Sequence, residues 1–127
     1  MKIFLISPVA RIDALTERML AEYVGLLESM GHSVHWPMRD TNQIDSTGGY
    51  NICKANFESI LEADAVHIWY DETSGGSKFD MGGLFMLVEL LGMEKEIVIV
   101  NESRVTDTPA KSFFKVFRHL IEKRKSA

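Results

Sequence analysis

Short runs of apolar and β-branched residues at 2–6, 33–36, 65–70 and 97–100 alternate with longer stretches whose apolar residues recur every three or four positions. That alternation leaves few folds open. Strand, helix and strand in succession make a βαβ unit, whose two strands run parallel. The fourth run (Ile97, Val98, Ile99, Val100) is unbroken in β-branched residues, as strands covered on both faces tend to be. Leu15, Met19, Leu20, Tyr23, Val24, Leu27 and Met30 predict a helix that Asp13 can cap and Gly31 can end. A second helix is expected over 51–63, with Ile52, Ala55, Ile60 and Ala63 on one face. A strongly apolar third runs over 79–91 and is closed by Gly92. The last covers 112–123, with Phe113, Phe114, Phe117, Leu120 and Ile121 as its apolar stripe. The expected architecture is α/β: a single small flavodoxin-like three-layer sandwich on a parallel sheet of order 2-1-3-4. Val105 marks a candidate fifth strand at the edge.

The 127 residues give room for one core, so 1–127 is expected to form one domain. No apolar run approaches the roughly 18 residues of a membrane span. The opening MKIFLISPVA is too short for a secretory signal. A lone cysteine, Cys53, has no partner for an internal disulfide. It reads as a small buried residue, and the expected location is cytoplasmic, with no membrane partner. The net charge is −4, yet residues 111–125 hold six basic residues against Glu122, a local +5 that leaves −9 on the rest. An acidic body argues against a broad nucleic-acid surface, and the basic end reads as a solvated helix face.

Ligands of open parallel sheets bind beyond the carboxyl ends of the strands, where the strand order reverses. For order 2-1-3-4 that point lies between strands 1 and 3, which selects the loops 7–12, 37–50, 71–78 and 101–108. The third loop brings Thr73, Ser74, Gly75, Gly76 and Ser77 to a helix start. Free backbone N–H groups there favour an anion such as a phosphate, although a capped helix needs the same residues. Asp80, expected in the first turn of that helix, should be ionised by the helix dipole. It can serve as nucleophile, base or acceptor, or simply stabilise the helix. Asn56 stands four residues from both Ile52 and Ile60, on the face aimed at the sheet. It either ties down backbone or lines the cleft. His32, His35, His67 and His119 lack metal-ligand spacing, and neither GxGxxG nor GxxxxGK[ST] occurs, so no metal or cofactor is expected.

These residues resemble the nucleoside 2-deoxyribosyltransferase-like family, which includes nucleoside-monophosphate N-glycosidases. Gly76-Ser77-Lys78-Phe79-Asp80-Met81-Gly82 is similar to the family segment G-[ST]-x-[FY]-E-[ILM]-G, whose glutamate is the nucleophile. The stretch from Ile52 through Asp64 into the third strand is similar to the family's I-x-x-x-D…AD-x-V. The likeness covers residues 2–101. It implies a cleft for a nucleoside or its 5′-monophosphate. There a carboxylate attacks C1′, the base leaves, and a second base or water resolves the sugar ester. Asp80 falls on the nucleophile position. Ser74 falls where nucleoside transferases carry an aspartate and monophosphate-specific relatives a serine. The family also implies a homo-oligomer in which a neighbour completes the site.

Three residues depart from the family pattern. Asp80 is one methylene shorter than glutamate, which shortens its reach by ~1.5 Å. Asn56 replaces an aspartate that assists the reaction, and an amide exchanges no proton. Phe4 stands near a family tyrosine that bonds the nucleophile. A catalytically weakened nucleotide-binding module on the same fold is therefore the alternative, with Tyr70 and Asp71 as candidate compensating groups. Softer candidates are Ser7 at the end of strand 1 and Arg11 for a phosphate. Arg39, Asp40 and Gln43 either bond a base or order a long loop. Trp36 and Trp69 either stack on a base or fill the core. Asn101 either completes the pocket or caps the next segment.

Overall fold

The computed structural model describes residues 1–105 and 108–126. Its elements in chain order begin with β1 (Lys2–Ile6), α1 (Ala14–Ser29), β2 (Ser33–His35), a one-turn helix α2 (Pro37–Asp40) and α3 (Tyr50–Glu62). They continue with β3 (Ala65–Ile68), α4 (Gly75–Phe85), β4 (Glu96–Ile99) and α5 (Phe113–Lys125). Among the described residues the sheet has four strands, all parallel, in the order β2-β1-β3-β4. This is the expected α/β sandwich. Val105 follows a 3-10 turn (Glu102–Arg104) and packs against the core instead of extending the sheet.

Side-chain alternation divides the interior. Ile3 and Leu5 point to one face and pack with Leu20, Val24 and Leu27 of α1. Phe4 and Ile6 point to the other, where α3, α4 and α5 contribute Ile60, Met81, Leu84, Phe114 and Phe117. Among the described residues, α1 with Met38 of the one-turn α2 covers one face, and α3, α4 and α5 cover the other. Fully burying an aliphatic side chain of this kind contributes roughly 1.5–3 kcal/mol. The apolar stripes are narrower than their sequence patterns suggest. Leu15 and Met30 at the two ends of the α1 pattern are exposed, as is Ala55 on α3.

Several element ends differ from expectation, each for a local reason. Asp13 caps α1 as expected, its carboxylate accepting from the Thr16 N–H at 2.7 Å. Pro37 does not merely stop β2; it occupies the first position of α2, where its missing N–H costs nothing. β3 ends at Ile68 because the next rung is made by a side chain. Asn101 accepts from the Tyr70 N–H (2.8 Å) and donates to the Tyr70 carbonyl (2.9 Å). The helix expected from residue 79 begins at Gly75, since Ser74 caps it by accepting from the Ser77 N–H. It also does not run evenly to residue 91. Over Met86–Leu90 the ladder widens to a π-turn, with Leu91 N–H donating to the Met86 carbonyl at 3.1 Å.

Candidate active site

Four segments meet beyond the carboxyl ends of β1 and β3: residues 7–11, the Pro37–Gln43 stretch, the inner face of α3, and the Asp71-to-α4 turn. They enclose a cleft of about 570 Å³. Its position is the one set by the reversal of strand order around β1. Nine residues singled out from the sequence line it: Ser7, Arg11, Gln43, Asn56, Asp71, Ser74, Gly76, Ser77 and Asp80.

Asp80 is the sixth residue of α4, not part of its first turn. The dipole effect fades within that first turn, so the electrostatic outcome is opposite to the expectation. Burial pushes the Asp80 carboxyl up to about 7, and no hydrogen bond within the described residues offsets it. Near neutral pH the group therefore divides between acid and anion, as suits a proton-exchanging or conditionally nucleophilic carboxyl.

Asn56 on α3, 7% exposed, lines the same cleft. Its Oδ1 accepts from the Thr41 hydroxyl at 3.1 Å, and Thr41 Oγ1 lies 3.1 Å from His35 Nε2. α3 and α4 approach closely beside this pair: a Cβ on Gly83 would stand 1.9 Å from the Phe57 ring. The start of α4, one turn before Asp80, carries Ser74 and Ser77, whose hydroxyls bond each other at 2.9 Å, and the backbone of Gly75 and Gly76. Asp71 holds its own turn, accepting from the N–H and hydroxyl of Thr73. Arg11 reaches the cleft from a backbone with φ of 60°, a left-handed conformation uncommon outside glycine. Ser7 accepts from the Trp36 indole at 3.1 Å and so fixes the floor. Gln43 donates to the carbonyls of Pro37 and Thr41.

Other residues singled out from the sequence lie elsewhere. Asn101 spends its whole amide on Tyr70 and does not line the cleft. The Tyr70 hydroxyl donates to Glu72, which also accepts from Lys78 at 3.2 Å. Arg39 binds Glu28 and Asp40, and Asp40 accepts from the Trp36 N–H at 2.9 Å, so this pair orders the loop. Trp36 is core, and Trp69 lies under Arg104. Phe4 is wholly buried and stacks on His35 at 5.4 Å. Cys53, expected to be buried, is half-buried on the cleft wall.

Sequence reasoning missed His35 and Thr41. The alternation in β2 was the available signal: with Val34 turned toward α1, His35 must face α3. It also missed Lys95, a buried ammonium that donates to the carbonyls of Leu61 (2.9 Å) and Ala63 (2.6 Å) at the end of α3. No local pattern announces that residue.

Fold and cleft together define an α/β protein with a parallel sheet and a ligand-sized site at its switch point, centred on one unpaired carboxyl group. In that fold it is similar to a solved 2-deoxyribosyltransferase of the psychrotolerant bacterium Bacillus psychrosaccharolyticus. The TM-score is 0.56 and the identity 19%, over 68% of this chain and 66% of that one. The relationship is a distant one of fold, and the match spans just under two thirds of the enzyme's length. No family model matches the chain, and no curated protein matches it in sequence. Among the described residues no helix is long and apolar enough to cross a membrane.

Proposed function

We propose that the chain binds a nucleoside or its 5′-monophosphate in this cleft and cleaves or transfers its N-glycosidic bond. The carrying observation is Asp80: a carboxyl raised to about 7 by burial and left without a hydrogen bond among the described residues, on the wall of the cleft. In its ionised form it attacks C1′. The C1′–N bond breaks, and its electron pair leaves with the base, which takes a proton from water. The sugar ester is then opened at C1′ by water or by a second base, which returns the carboxylate. Ser74, Ser77 and the backbone of Gly75 and Gly76 suit a 5′-phosphate, and Arg11 supplies a positive charge. The fold likeness to a deoxyribosyltransferase supports the nucleoside reading.

A second reading is favoured by two residues: Asn56 exchanges no proton, and Phe4 offers the carboxyl no hydroxyl. It takes the protein as a nucleotide-binding module with little or no turnover. Incubation with 2′-deoxynucleosides and their monophosphates, followed by assay of free base, separates the two. Base release that Asp80→Ala abolishes supports the enzyme. Release surviving Asp80→Ala removes Asp80 from its role, and tight binding without release favours the module. A homo-oligomer belongs to either reading. Leu61 on α3, and Met86, Leu90 and Leu91 after α4, are exposed, and a second copy would cover them. A monomer in sizing or scattering experiments argues against that assembly.

A further inference from the structure

Asn56 ends a chain of hydrogen bonds whose direction follows from its amide oxygen facing the Thr41 hydroxyl. Thr41 Oγ1 carries a single proton. It donates that proton to Asn56 Oδ1 at 3.1 Å, so toward His35 Nε2, also at 3.1 Å, it must act as acceptor. Nε2 therefore bears the proton. Burial lowers the pKa of His35, so the ring is neutral near pH 7 and Nδ1 is bare. The chain reads His35 Nε2–H to Thr41 O–H to Asn56 Oδ1. What remains for the cleft is the Asn56 NH2 group, two donors with no partner among the described residues.

The opposite polarity would need the proton on Nδ1. Thr41 would then donate to His35 and accept from a flipped amide, presenting Oδ1 to the ligand. Both polarities keep the ring and the hydroxyl where they are, and the Asn56 orientation, with Oδ1 toward Thr41, selects the first. His35 lies opposite Phe4 in the β1–β2 register and stacks on it at 12°. The Thr41 N–H is bonded to the Pro37 carbonyl at 3.0 Å.

We propose that His35 and Thr41 are positioning residues that present the Asn56 amide as a hydrogen-bond donor. The cleft thereby selects a purine that offers a ring-nitrogen lone pair, N3 or N7, at that point. This rests on the nucleotide reading of the site. It also deepens that reading: a fixed donor can stabilise charge on a departing base without transferring a proton.

Two measurements test it. Side-chain 15N–1H correlation spectra of the unliganded protein report the His35 tautomer, and the expected form is Nε2–H. An Nδ1–H tautomer overturns the proposal whatever the ligand is. The second measurement compares binding of 2′-deoxyadenosine 5′-monophosphate with its 3-deaza and 7-deaza analogues, which each lack one acceptor nitrogen. The wild type is expected to bind one analogue about tenfold more weakly. Thr41→Val should lose that discrimination, and Thr41→Ser should keep it. Full discrimination in Thr41→Val overturns the positioning role, and so does a wild type that binds all three probes equally. A wild type that binds none of them overturns the purine selectivity; the nucleotide reading stands or falls separately on base release and binding with the other deoxynucleosides, and the tautomer independently decides the polarity of the chain.

Discussion

Asn56 and Asn101 stand at the same end of the sheet, each 7% exposed, on opposite sides of β3. Asn101 uses both ends of its amide to replace a missing rung of the ladder at Tyr70. Among the described residues Asn56 has one partner, Thr41, and its remaining donors are left to the cleft it lines. The same residue type at the same burial is thus saturated where β3 meets β4 and unsaturated where the strand order reverses. Residual hydrogen-bonding capacity distinguishes a binding wall from a structural seam, because a closed interior leaves few polar groups unpaired. Asp80 repeats the lesson beside Asn56, and Lys95 repeats the contrary one at the far end of the sheet.

The largest effect that would sharpen this contrast is catalytic. If the unsaturated side is an active site, Asp80→Ala should lower base release by about 10³-fold or more, while urea unfolding changes little. A variant that loses stability and activity in proportion would mean that Asp80 is structural after all. Asn101→Ala should show the reverse. It strips partners from a buried N–H and a buried carbonyl, at a cost of about 2–4 kcal/mol in unfolding free energy. Asn56→Ala removes a single hydrogen bond and should cost about 1 kcal/mol or less. Equal losses for the two asparagines would break the comparison.

An intermediate effect is expected at Gly83, where α3 and α4 approach each other. Gly83→Ala drives a methyl against the Phe57 ring. Because that ring is half-buried and edge-on to Phe79 at 5.5 Å, it can yield only in part. A loss of about 1–3 kcal/mol is expected in chemical denaturation. Weaker ligand binding should accompany it, since the α3 helix that carries Asn56 must shift. Unchanged stability would show that Phe57 swings freely and that the glycine sets no spacing.

The strands, their order and the location of the cleft were legible in the sequence because they follow from periodicity and from the topology of parallel sheets. So was the convergence of the loops that carry Ser7, Ser74 and Asp80 on one opening, whereas for Asn56 the sequence allowed either the cleft or a backbone tie. Three things were not. The helix start at Gly75 depends on Ser74 reaching Ser77, a one-bond decision that puts Asp80 beyond the first turn, where burial raises its pKa instead of the dipole lowering it. The Asn101 bracket depends on two strands ending in register. The His35–Thr41–Asn56 chain joins β2, the end of α2 and α3, a contact that exists only once the sheet is assembled. Patterns within a segment were readable; proton counts across segments were not.

The finest test is in pH. The Asp80 carboxyl has a folded-state pKa of about 7 against roughly 3.9 in an unfolded chain. Below about pH 4 both states hold the proton. Between there and about pH 7 the unfolded state releases it while the folded state keeps it, so stability falls as pH rises; above that range the loss is complete. The carboxyl borders an open cleft, so solvent screens the effect and its size stays modest. Base release should move the other way, with kcat/KM rising through about pH 7 as the nucleophile ionises. Asp80→Asn should flatten the stability curve between pH 4 and 7 relative to wild type. If that variant keeps the wild-type slope, the titrating group lies elsewhere. The opposed trends at one side chain would then need two different residues, and the contrast between the saturated and unsaturated sides of β3 would lose its electrostatic half.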